Sequence, residues 1–152
     1  TYEKVEKIFQ PVSDDILNFL RYGIYFSNNF KIEYISKLTE IIIPDSVESI
    51  GVSAFKDCIS LSNVKLNSRI EVIQESTFVN CQSLANIELP ESLTSIEKSA
   101  FEECSKLKYI DIYFSLMSIG QRAFRNCSSL KHLFIPMKTK TIGTNAFQGD
   151  LS

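Results

Sequence analysis

Phenylalanine recurs at positions 55, 78, 101, 124 and 147, a step of 23 residues. Cysteine keeps the same step at 58, 81, 104 and 127, leucine at 38, 61, 84, 107 and 130, and isoleucine at 50, 73, 96, 119 and 142. Four residue types held in phase leave a chain few options. A period of roughly 20–30 residues builds a solenoid, in which each repeat is one supersecondary coil that buries its apolar side only against a neighbour. The copies read as residues 35–57, 58–80, 81–103, 104–126 and 127–149, with 1–34 ahead of them and 150–152 behind.

Each copy carries C-x-x-L-x-x-I-x-L-P-x-x-L-x-x-I-G-x-x-A-F-x-x, with drift. Ile35 replaces the cysteine of the first copy, and Asn67 and Tyr113 stand where Pro44, Pro90 and Pro136 mark the other three. In "LSNVKL" (61–66), Val64 and Leu66 alternate with Lys65, the pattern of a short strand with one buried face. A following Pro or Asn ends ladder pairing and turns the chain. "IEVI" (70–73) supplies two more apolar anchors and a minimal second strand. The small residue before each Phe reads as a tight helical turn that points the ring inward. The Phe and Cys columns therefore form the expected structural core: Phe55, Phe78, Phe101, Phe124 and Phe147, with Cys58, Cys81, Cys104 and Cys127. Five strands stacked at about 4.8 Å would make one parallel sheet.

This skeleton resembles the BspA-like, treponemal-type leucine-rich repeat. It differs from the ordinary leucine-rich repeat, which carries Asn or Cys nine positions into its motif, where this chain has Ser46, Arg69, Ser92, Ser115 and Lys138. The resemblance covers residues 35–149 and implies a leucine-rich repeat solenoid of the α/β class, rich in β-structure. Its coils, about five, would carry a parallel sheet on the concave face. It also implies a non-enzymatic protein-binding module of bacteria or some protozoan parasites, often at the cell surface or secreted, where such proteins serve adhesion to a host. An intracellular scaffold or regulatory subunit is the alternative, which reduced, unpaired cysteines would suit.

Composition narrows the remaining classes. Sixteen Lys and Arg against eighteen Asp and Glu give a net charge of −2, without the basic excess of a nucleic-acid binder. No apolar run approaches the roughly 20 residues of a transmembrane helix. There is no signal peptide at the start, but the chain begins at Thr1, so the compartment stays open between surface and cytoplasm. Cysteines 23 apart fit no metal or redox motif, and they are expected as buried thiols with no disulfide, no metal and no cofactor. His132 is the only histidine and is expected on the surface; with no catalytic partner motif beside it, no catalytic residue is assigned and an enzyme is not expected. Asn126-Cys127-Ser128 is a glycosylation tripeptide whose central cysteine is expected to be buried.

Residues 1–34 read as an N-terminal cap. Val5, Ile8 and Phe9 lie at helical spacing, Ser13 opens a second helix through Leu20, and "FKIEYI" suggests a strand. The rival reading is a degenerate repeat with Phe30 in the Phe column. At the far end nothing after Phe147 would cover the last coil, which predicts either a longer array or self-association through that end. Facing outward on the concave side, coils four and five place Tyr109, Asp111, His132 and Phe134, with Tyr113, Phe114 and Met137 just past the strands. Aromatic and Met anchors flanked by charge are the composition of a protein-binding patch, and these seven residues are the predicted binding set.

Overall fold

The computed structural model describes residues 37–43 and 45–149. The cap expected over 1–34 lies outside the described residues, as do its rival repeat with Phe30, Ile35, Pro44 and the 150–152 tail. Among the described residues eight short strands are formed: β1 (Glu40–Ile42), β2 (Asn63–Lys65), β3 (Val72–Ile73), β4 (Asn86–Glu88), β5 (Ser95–Ile96), β6 (Tyr109–Ile110), β7 (Ser118–Ile119) and β8 (Thr141–Ile142).

They make two parallel sheets, β1-β2-β4-β6 and β3-β5-β7-β8. Every paired residue sits 23 positions from its partner: Glu40 on Asn63, Asn63 on Asn86, Asn86 on Tyr109. The sequence period is therefore the strand register. It places Ile41, Val64, Ile87 and Ile110 in one buried row, while their neighbours Glu40, Asn63, Asn86 and Tyr109 face out.

The third side of each coil departs from the expected helical turn. Residues 51–58 and their counterparts form successive tight turns, with two left-handed positions per coil: Ser53 and Asp57, Ser76 and Asn80, Ser99 and Glu103, Arg122 and Asn126. A left-handed residue every fourth position breaks a helix. It also turns alternate amides toward the next coil, so Phe55 N–H donates to Thr77 O (2.9 Å), Phe78 to Ala100 O (2.8 Å) and Phe101 to Ala123 O (2.7 Å). The turns thus form a third ladder, and no α-helix occurs among the described residues.

Phe55, Phe78, Phe101 and Phe124 line one internal column, with successive ring centroids 5.3 Å apart and planes within 9° of parallel. Phe147 continues the column at 5.6 Å but is only partly buried, because no further ring covers its outer face among the described residues. It stands at the margin of the core rather than within it. All four cysteines are buried and none is joined in a disulfide. Each of three donates its S–H to the carbonyl of the Phe 26 residues earlier in the chain: Cys81 to Phe55 O (3.1 Å), Cys104 to Phe78 O (3.2 Å) and Cys127 to Phe101 O (3.1 Å). Burial, and then the thiols of Cys81 and Cys127 beside it, push the Cys104 thiol well above its ordinary value of 9.0. It keeps its proton at neutral pH and is a poor nucleophile.

Asn67 shows how a coil dispenses with proline at the turn. Its Oδ1 accepts from Arg69 N–H (2.7 Å) in an Asx turn, and its Nδ2 donates to Val47 O of the coil before (2.8 Å).

Candidate functional site

The fifth coil interrupts the first sheet. Residues 131–135 form no strand, and no backbone hydrogen bond joins them to β6 among the described residues. The sheet expected to have five strands has four among the described residues. The same coil stays in register elsewhere: β8 pairs with β7 and Phe124 N–H donates to Ala146 O (2.8 Å). The departure is confined to the strand-bearing side.

It opens a cleft of about 770 Å³. One wall runs from Tyr109 through β6 to Ile112; the other is Lys131 to Ile135, and Leu130 and Phe147 also line it. Leu133 and Ile135 keep the alternation of a strand but are half-buried, whereas Ile110 and Ile112, one coil earlier, are buried.

Around this cleft the seven residues of the predicted binding set are all exposed. Tyr109 is 65% exposed, Phe114 68%, Phe134 63% and Met137 98%. Phe114 and Phe134 meet edge to face at 6.2 Å, so rings from two coils already form one surface. Tyr109 and His132 hold equivalent positions in coils four and five, as do Asp111 and Phe134. Tyr109, Asp111, His132 and Phe134 line the cleft; Tyr113, Phe114 and Met137 lie outside it. Half-exposed Met117 adds a second thioether that the strand pattern did not single out.

Among the described residues no group of three or more His, Cys, Asp or Glu could hold a metal ion, and no helix is long and apolar enough to cross a membrane. The Asn126 amide of the glycosylation tripeptide is engaged, donating to Glu103 Oε1 at 2.7 Å.

Comparisons with known proteins place the architecture. Residues 27–152 match the BspA-type leucine-rich repeat region in six copies, a span that opens ahead of the five coils counted from residue 35. A T. pallidum leucine-rich repeat protein is 35% identical with a TM-score of 0.70, over 76% of this chain and 56% of that one. A leucine-rich repeat protein of Bacteroides ovatus is 34% identical with the same TM-score, over 76% of this chain and 32% of that one. A leucine-rich cell surface protein of Faecalibacterium prausnitzii is 28% identical with a TM-score of 0.55, over 82% of this chain and 40% of that one. The chain thus spans about half or less of each of these proteins. No curated protein matches it. Sequence match, parallel ladders and 23-residue register agree, and the chain belongs to the BspA-type leucine-rich repeat family.

Proposed function

We propose that this chain is a non-enzymatic protein-binding module that takes its partner on the concave face at coils four and five, and that it acts in adhesion at the cell surface or after secretion. The observation that carries the reading is the aromatic surface around the β6 cleft, where Tyr109, Phe114 and Phe134 stand at 63–68% exposure. Single exposed apolar residues are ordinary; a contiguous set beside a cleft is the mark of an interaction site. The backbone beneath it, from Ile112 back through coil three, is tied by ladders on several sides, so the β6 anchors are ordered before a partner arrives and less freedom is lost on binding.

The surface location draws support from the F. prausnitzii neighbour, described as a cell surface protein. The buried thiols are compatible with either an oxidising or a reducing compartment, because none is exposed to an oxidant.

The test is capture of a partner by the intact protein compared with Tyr109→Ala, Phe134→Ala. Both side chains are largely outside the core, so melting is expected to shift by less than that of a core truncation. The loss of two aromatic anchors should weaken binding by roughly 30-fold or more. A collapse in melting temperature would make the two rings structural, and undiminished capture would move the binding site elsewhere.

A further inference from the structure

The near-neutral total conceals a division of charge along the solenoid. Residues 35–103 hold five Lys and Arg against eleven Asp and Glu, whereas residues 104–149 hold seven against Asp111 alone. The first three coils are therefore at −6 and the last two at +6. Ion pairing deepens the difference. Lys65, Arg69 and Lys98 of the acidic section are each paired with a carboxylate. Among the described residues of the basic section only Arg125 is, with Glu102 of coil three. Lys106, Lys108, Arg122, Lys131, Lys138 and Lys140 are exposed, and no carboxylate lies within ion-pair distance of any of them among the described residues.

The unpaired cations lie where the apolar cleft opens. Lys108 and Lys131 occupy equivalent positions in coils four and five and directly precede Tyr109 and His132, while Lys131 itself lines the cleft with Leu133 and Phe134. From this we infer that the partner of the aromatic surface is an acidic protein segment with interspersed apolar side chains. Its carboxylates would meet Lys108 and Lys131, and its apolar groups would enter beside Tyr109, Leu133 and Phe134. Both halves of the site are then used: the cations steer and orient, and the cleft supplies the buried contact. A long polyanion fits less well, because it leaves the apolar cleft unfilled and runs into the acidic coils beyond β6. The inference rests on the binding reading above and adds the partner's chemistry.

Two synthetic peptides provide the probes, one alternating Glu and Leu, the other Lys and Leu, titrated into the protein and followed by residue-resolved NMR. The Glu–Leu peptide is expected to shift Tyr109, Lys131 and Phe134, and the Lys–Leu peptide to leave them unmoved. Affinity for the first should fall roughly tenfold between about 50 mM and about 500 mM salt, and by a similar factor in Lys108→Glu, Lys131→Glu with unchanged melting. Equal binding of both peptides, lost in Tyr109→Ala, Phe134→Ala, would overturn the acidic partner and leave the contact surface standing. No shift from either peptide would also overturn it; the capture assay decides separately whether the surface binds. Heparin binding indifferent to Tyr109 and Phe134 would put a polyanion there instead. Salt-sensitive self-association abolished by Lys108→Glu, Lys131→Glu would seat a second copy, acidic coils on basic, and equally defeat the proposal.

Discussion

Phe101→Ala should destabilise the protein by about 3–5 kcal/mol, lowering the melting temperature by roughly 6–20 °C for a chain of this size. The ring is fully buried and stacked on both faces, by Phe78 and by Phe124. Its removal leaves a cavity that the coils cannot close, because the ladders on the other sides hold their spacing. Phe147→Ala is the internal control. That ring is stacked on one face and partly exposed, so its truncation should cost less than half as much. Chemical denaturation of the two variants checks the ratio. Equal costs would mean that the column contributes as separate side chains and not as a stack.

Gly120→Ala has the opposite sign from the general expectation. Glycine to alanine at a position without positive φ usually stabilises by about 0.4–1 kcal/mol, through the unfolded chain. Gly120 has no positive φ. A Cβ there would nevertheless lie 2.5 Å from both Glu97 C and Lys98 N in the coil before. Backbone cannot swing aside as a side chain can, and the Gly120 N–H to Ile96 O bond, at 2.7 Å, holds the two coils at that separation. Overpacking of this kind costs about 1–3 kcal/mol. Gln74 and Glu97 carry side chains at the same repeat position, so the steric bar is local to the later coils. A thermal melt of Gly120→Ala decides the sign; a rise in melting temperature would contradict the close approach.

The register was legible in the sequence because a solenoid writes its pairing distance directly as its period. Residues that meet across β2 and β4, such as Val64 and Ile87, are one repeat apart in the chain. The inward rows followed from the same count, as did the outward facing of Tyr109 and Phe134. The paired left-handed turns did not. Ser53, Ser76 and Ser99 adopt positive φ as readily as Asn145 does at the same position, so no residue type there announces the turn, and Ala-Phe after it looks like helix. Nor was the break at 131–135 legible, since Leu133 and Ile135 repeat the alternation of Ile110 and Ile112. Whether a strand pairs depends on the backbone beside it, and side-chain pattern does not record that. The division of charge was open to reading, yet a net value of −2 sums it away.

If each coil leans only on its neighbours, the stack must couple nearest rings and no others. A double-mutant cycle on Phe78→Leu and Phe101→Leu, compared with one on Phe55→Leu and Phe124→Leu, measures this directly by equilibrium denaturation. The adjacent pair, with centroids 5.3 Å apart, is expected to show a coupling of about 0.5–1.5 kcal/mol. The pair three steps apart should be additive within about 0.5 kcal/mol. Equal coupling in both cycles, or none in either, would contradict a spine built ring upon ring.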